Sequence, residues 1–115
     1  MDRQERIEIV AAYLKRNGYA VTVAPRRGLD IVATKGNEYA FVAVFDLKGR
    51  KTFPSNPFNS AEGGKRFVSL VANSHRWCGG KGAVNPYKIK CRYDAATVDE
   101  YGGLDYVVDA GRKGL

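Results

Sequence analysis

The chain has 115 residues, 44% of them hydrophobic and 27% charged, which fits one soluble globular domain and leaves no room for two independent cores. No stretch approaches the roughly 18 apolar residues of a membrane span, and Met1-Asp2-Arg3-Gln4-Glu5 opens a polar helix rather than a signal peptide, so a cytoplasmic location is expected. Nineteen Lys and Arg against twelve Asp and Glu give a net charge of +7, a balance that favours a polyanionic partner because each phosphate contact releases condensed counterions; a merely basic soluble protein would show the same balance.

Asp2 and Glu5 have the spacing of a capping box. Ile7, Val10, Ala11 and Leu14 then recur at i, i+3, i+4 and i+7, and Asn17-Gly18 supplies a stop, so a first helix is predicted from about Arg3 to Asn17. Glu8 borders the apolar stripe, either as a solvated carboxylate or as a third acid leaning toward the site described below. Tyr19 to Ala24 reads as a strand closed by Pro25. Arg26-Arg27-Gly28 follows as a basic turn whose arginines either hold backbone phosphates or are simply solvated.

Two apolar runs come next, Leu29-Asp30-Ile31-Val32-Ala33 and Ala40 to Lys48, joined by a hairpin turn at Lys35-Gly36-Asn37-Glu38. Side chains alternate along paired strands, so Asp46 and Lys48 share a face and Asp30 can come alongside. Beyond Lys48, Gly49 to Ser60 is a long Pro-containing connection, the kind that more often carries function than mere spacing.

A second helix is expected to start near Ser60, or at Lys65 if Gly63-Gly64 weakens the first turn, with Phe67, Leu70, Val71 and Trp77 buried. His75, the lone histidine, reads as a surface or helix-end residue. Cys78-Gly79-Gly80-Lys81-Gly82 follows a helix and lacks the Gly-Lys-[Ser/Thr] ending of a nucleotide loop, so it reads as a helix terminator. Cys78 and Cys91 have no zinc spacing and read as reduced thiols, with a disulfide between them left open. Tyr87 to Val98 is predicted as a strand with Lys88, Lys90 and Arg92 outward on one face. A last strand over Leu104 to Val108 and a frayed basic tail from Gly111 complete the order helix, three strands, helix, two strands.

The chemistry the central runs could support is phosphodiester hydrolysis. Asp30 and Asp46 are hard oxygen donors suited to Mg²⁺ or Mn²⁺, an ion that takes one or two carboxylates and keeps several waters. Lys48 would reach the attacking water or a phosphate oxygen and balance charge in the transition state.

The series Asp30, a following strand, and Asp46-Leu47-Lys48 resembles the motif of the PD-(D/E)XK nuclease superfamily. The nearer resemblance is to the YraN family of resolvase-like endonucleases, with the archaeal Holliday junction resolvases as cousins. Ala11 to Tyr19 looks like that family's first helix and the start of its strand. Gly28-Leu29-Asp30-Ile31-Val32-Ala33 resembles its Gly-Glu-Ile-Asp-Leu-Ile-Ala segment, and Val44 to Arg50 its Phe-Val-Glu-Val-Lys-Thr-Arg segment. Arg92 to Asp99 is similar to its Arg-Phe-Asp-Val-Val strand. Asp46 stands where the family usually has glutamate, Leu29 where it has an acid, and Glu8 lies one position from its helix glutamate.

The resemblance implies a three-layer α/β/α, restriction-endonuclease-like fold around a mixed sheet in the order αβββαββ. It implies a Mg²⁺- or Mn²⁺-dependent endonuclease for branched DNA, with Asp30 and Asp46 on the metal, the Leu47 carbonyl as an extra ligand and Lys48 at the water. Arg26, Arg27, Arg50, Lys51, Lys65 and Arg66 would grip the backbone, Glu8 would be a fourth catalytic member, and symmetric cutting would suit a homodimer. The alternative is a non-catalytic nucleic-acid-binding module on the same fold.

Overall fold

The computed structural model describes residues 1–47, 56–79 and 90–113. Helix α1 spans Arg3–Arg16 and is fixed at its start by the predicted capping box: Asp2 Oδ1 accepts from the Glu5 amide at 2.8 Å, and Glu5 Oε1 from the Asp2 amide at 3.2 Å. Its buried side carries Ile7, Val10, Ala11 and Leu14 as the periodicity predicts, together with Arg6. Gly18, at φ +89°, turns the chain out of the helix.

Strands β1 (Ala20–Arg26), β2 (Leu29–Lys35) and β3 (Glu38–Asp46) form an antiparallel meander. Contrary to the sequence expectation, Pro25 does not close β1. A bulge between Val23 and Arg26, with Ala24 at φ +46°, lets the strand resume, and proline is tolerated because β1 is an edge strand with no second ladder to feed. The β2–β3 loop pairs Lys35 with Glu38 and puts Gly36 at φ +63°, the conformation for which a two-residue hairpin loop needs glycine.

Strand β4 (Lys90–Val98) runs parallel to β3, and the short β5 (Leu104–Val107) pairs antiparallel to β4, so the five-stranded mixed sheet has the order β1-β2-β3-β4-β5. Alternation along β3 divides the core. Ala40, Val42 and Val44 pack with the apolar residues of α1, while Phe41, Ala43 and Phe45 pack with Phe58, Leu70 and Cys78. Residues 40–45 are thus buried without a break, the signature of a strand covered on both faces.

Helix α2 runs Ala61–Gly79, so the alternative start at Lys65 is not what forms. Ser60 caps it, its Oγ accepting from the Gly63 amide at 2.9 Å. Gly63 is buried against the 3₁₀ turn Pro57–Asn59, and a Cβ there would overlap the Pro57 carbonyl oxygen. The glycine that looked like a helix weakness is the one residue this close approach admits. His75 is exposed and both cysteines are free, Cys78 buried and Cys91 exposed. The expected tail is also different. Ala110–Lys113 forms a short helix, α3, in which Gly111 is buried against Phe67 and Tyr93.

The run of outward cations on β4 is broken by Arg92, which is half-buried over the Tyr19 ring and donates through Nε to both oxygens of Asp94, at 3.1 and 3.0 Å. Asp94 is wholly buried and also accepts from the Tyr106 hydroxyl and, at 2.8 Å, from the amide of Asp109, which sits at φ +57°. A buried carboxylate must be paired and hydrogen-bonded, so Arg92 is drawn inward. Lys90 stays exposed; Lys88 and the Gly80-Lys81-Gly82 turn lie outside the described residues.

Two expectations follow. Gly63→Ala should destabilise by about 1–3 kcal/mol, the usual cost of forcing extra volume into a packed site, read as a lower urea midpoint at unchanged slope. Burial and the neighbouring Asp94 push the Tyr106 phenol well above its ordinary value. The folded chain therefore keeps that proton longer than the unfolded chain. Its stabilisation is complete below about pH 10, the ordinary tyrosine value, and is lost as pH rises above it. Unfolding midpoints measured between pH 8 and 11.5 should fall at the alkaline end and fall less in Tyr106→Phe; Tyr93 and Cys78, also raised by burial, keep the slope from vanishing.

Candidate functional site

The sequence places Asp30 near the start of β2 and Asp46 at the end of β3, and antiparallel pairing of these strands brings the two carboxylates to one spot. The β2–β3 ladder ends with Ile31 opposite Val42; continued, it would set Asp30 opposite Ala43, but the Asp30 side chain reaches Val44 instead. There Asp30 Oδ2 accepts from the Val44 amide at 2.8 Å, so the carboxylate takes up a backbone donor of β3.

The two acids are joined by a single guanidinium. Arg3 Nη2 donates to Asp30 Oδ1 at 2.9 Å, while its Nη1 donates to Asp46 Oδ1 and to the Val44 carbonyl, both at 3.1 Å. Arg66 approaches from α2, Nη2 reaching Asp30 Oδ2 at 2.8 Å and the Val44 carbonyl at 3.0 Å, with its guanidinium 4.8 Å from the centre of the Phe45 ring. Arg6 is wholly buried, and its Nη1 lies 3.8 Å from Asp46 Oδ2. Among the described residues none of its three guanidinium nitrogens has a hydrogen-bond partner. Three guanidiniums therefore surround two carboxylates, and the cluster carries a formal surplus of one positive charge.

Of the residues singled out in the sequence, Asp30 and Asp46 are brought together and Arg66 joins them. Arg66 was expected to face DNA, but it is held by Asp30 and by the ring beneath it. Arg26, Arg27 and Lys65 are exposed. Glu8 is exposed and accepts from Gln4 Nε2 at 3.3 Å, and no group of three or more His, Cys, Asp or Glu side chains suited to a metal occurs among the described residues. The Leu47 amide donates to the Val98 carbonyl at 3.0 Å; the carbonyl that meets the same positive group as the carboxylates is that of Val44. Lys48, Arg50 and Lys51 lie outside the described residues.

Arg3 and Arg6 were missed, although the sequence carries a signal for them. Stepping back by threes and fours from Val10 and Ile7 gives positions 6 and 3, so both arginines stand on the buried stripe of α1. Charges on a core-facing stripe need partners in the core, and Asp30 and Asp46 were the carboxylates embedded in the apolar strands. No protein-family model matches the chain, and no curated protein matches it in sequence.

The cluster makes separable demands on its arginines. Arg66→Ala removes hydrogen bonds to a charged group, each worth about 1.5–3 kcal/mol at most when shielded and less here because the guanidinium is a third exposed. It should lower the urea midpoint by the equivalent of about 1–2 kcal/mol. Arg26→Ala, in the exposed turn, should stay within about 0.5 kcal/mol of the parent.

Proposed function

We propose that the chain is a divalent-metal-dependent endonuclease acting on branched or otherwise structured DNA, built on a three-layer α/β/α, restriction-endonuclease-like domain. The observation that carries this reading is the convergence of Asp30 Oδ1, Asp46 Oδ1 and the Val44 carbonyl oxygen on one positive group. Three hard oxygens already arranged around a cation fit Mg²⁺ or Mn²⁺ in donor type, with Asp30 and Asp46 as the residues that would hold it. Such an ion supplies Lewis acidity toward a phosphoryl oxygen and a more acidic attacking water.

The chain's own residues supply the rest. The Val44 amide and Arg66 fix the orientation of Asp30, which keeps the donor pair in place without reorganisation. Arg66 itself, backed by the Phe45 ring, is a fixed positive group beside the position where charge would grow on a phosphodiester. Lys48, two residues beyond Asp46, keeps its sequence-derived role at the attacking water. Exposed Arg26, Arg27 and Lys65, with Arg50 and Lys51, would hold backbone phosphates, in keeping with the net charge of +7. A C2 dimer would present two such sites to a symmetric junction, and the cytoplasm remains the proposed compartment.

A second reading is favoured by one observation. Three guanidiniums more than offset the two carboxylates without metal, as a non-catalytic nucleic-acid-binding module would require. Incubation with four-way junctions, flaps and plain duplexes in Mg²⁺ and Mn²⁺ separates the two. The nuclease reading expects cutting of the branched substrates, lost in Asp30→Asn and Asp46→Asn. Lys65→Ala should keep cleavage and reduce the salt dependence of binding by about one charge. Binding with steep salt dependence and no cutting of any substrate would select the binding module.

A further inference from the structure

We infer that Arg3 occupies the cation position of the Asp30–Asp46 pair and competes with a divalent metal for it, so that loading of the site requires the Arg3 side chain to leave. The inference rests on the metal reading above and concerns how that site is filled. Its basis is that Arg3 spends its two terminal nitrogens on the same three oxygens that would serve as ligands: Asp30 Oδ1, Asp46 Oδ1 and the Val44 carbonyl. Each oxygen has two lone pairs, but a guanidinium and a metal ion cannot both occupy the space on which the three converge, where their positive charges would also repel.

The three arginines differ in their freedom to move. Arg6 is fully enclosed, and Arg66 is pinned over Phe45 and bonded to the other oxygen of Asp30 and, at 3.0 Å, to the Val44 carbonyl, so departure of Arg3 frees the two carboxylate oxygens and leaves that carbonyl shared. Arg3 has a side chain 41% exposed and stands at the first residue of α1, where a long side chain can swing to solvent without disturbing the helix. It also bridges acids that would otherwise repel each other, so it stabilises the pair when no metal is bound. Once displaced, the same guanidinium is a free cation at the mouth of the site, suited to a phosphate oxygen. By linkage, an anion that draws Arg3 outward would tighten metal binding, and metal would tighten anion binding by the same factor.

The test is Mn²⁺ binding, read from the loss of the free aquo-ion signal in electron paramagnetic resonance, with the Mn²⁺-dependent rise in melting temperature as a second readout. Parent protein, Arg3→Gln and Arg3→Lys are compared, with Asp30→Asn combined with Arg3→Gln as the control. The expected result is Mn²⁺ affinity about tenfold higher in Arg3→Gln, in the ordinary range of coupling between sites, with Arg3→Lys intermediate, a larger melting shift in both, and loss of binding in the double variant. Equal Mn²⁺ affinity in the parent and both variants would overturn the competition while leaving the metal site standing. No Mn²⁺ binding by any of them would overturn the metal reading and this inference with it. If Arg3→Gln fails to fold by circular dichroism, Arg3→Lys carries the same comparison.

Discussion

The carboxylate of Asp30 is where both long helices meet the centre of the sheet. One oxygen receives Arg3 from α1, and the other receives Arg66 from α2 together with the Val44 amide of β3. The apolar residues of α1 and α2 belong to separate clusters, so hydrophobic contact holds each helix against the sheet without relating one to the other. The charged contacts at Asp30 supply that relation. They also explain why an acid tolerates a position with a side chain only 16% exposed: every oxygen is engaged by a donor, which is the condition for burying a charge.

The same contacts give the candidate site two characters. With Arg3 in place it is an electrostatic knot in which both acids are paired and one positive charge is left over. With Arg3 swung out, as inferred above, it would be a pair of acids flanked by two fixed guanidiniums, Arg6 beside Asp46 and Arg66 on Asp30 and the Val44 carbonyl. The function proposed above needs the second form, and the arrangement in hand is the first. Under that proposal, a structural ion cluster and a metal centre would be two occupancies of a single set of oxygens.

Much of this was legible in the chain itself. The capping box and the apolar spacing defined α1, and the Gly36-Asn37 loop defined the hairpin, whose open end carries both Asp30 and Asp46; strict alternation through the Ile31–Val42 register would have set the two acids on opposite faces, and they meet because Asp30 lies beyond the last β2–β3 pair. What escaped were features that depend on a partner distant in sequence. Gly63 reads as a defect until Pro57 is seen beside it, and Gly111 as part of a frayed tail until Phe67 and Tyr93 cover it. Arg92 reads as a solvated cation until the buried Asp94 claims it. Arg66 belonged by composition to a basic surface patch, yet it spends its charge internally. Formal charge tells how many cations a chain has; burial decides how many remain available to a polyanion.

The parallel pairing of β3 with β4 has a kinetic consequence. Helix α1 and strands β1 to β3 are contiguous and joined by short turns. The β3–β4 ladder instead requires the chain to return from Asp46 to Lys90 through the whole of α2. Closing that long loop costs entropy before its contacts are gained, and such non-local pairing sets the slow step in folding. The charged contacts are long in sequence too: Arg3 and Asp46 are 43 residues apart, and Asp30 and Arg66 are 36 apart. Neither arginine meets Asp30 until segments distant in sequence are together, so the charged cluster closes with the tertiary packing and not ahead of it.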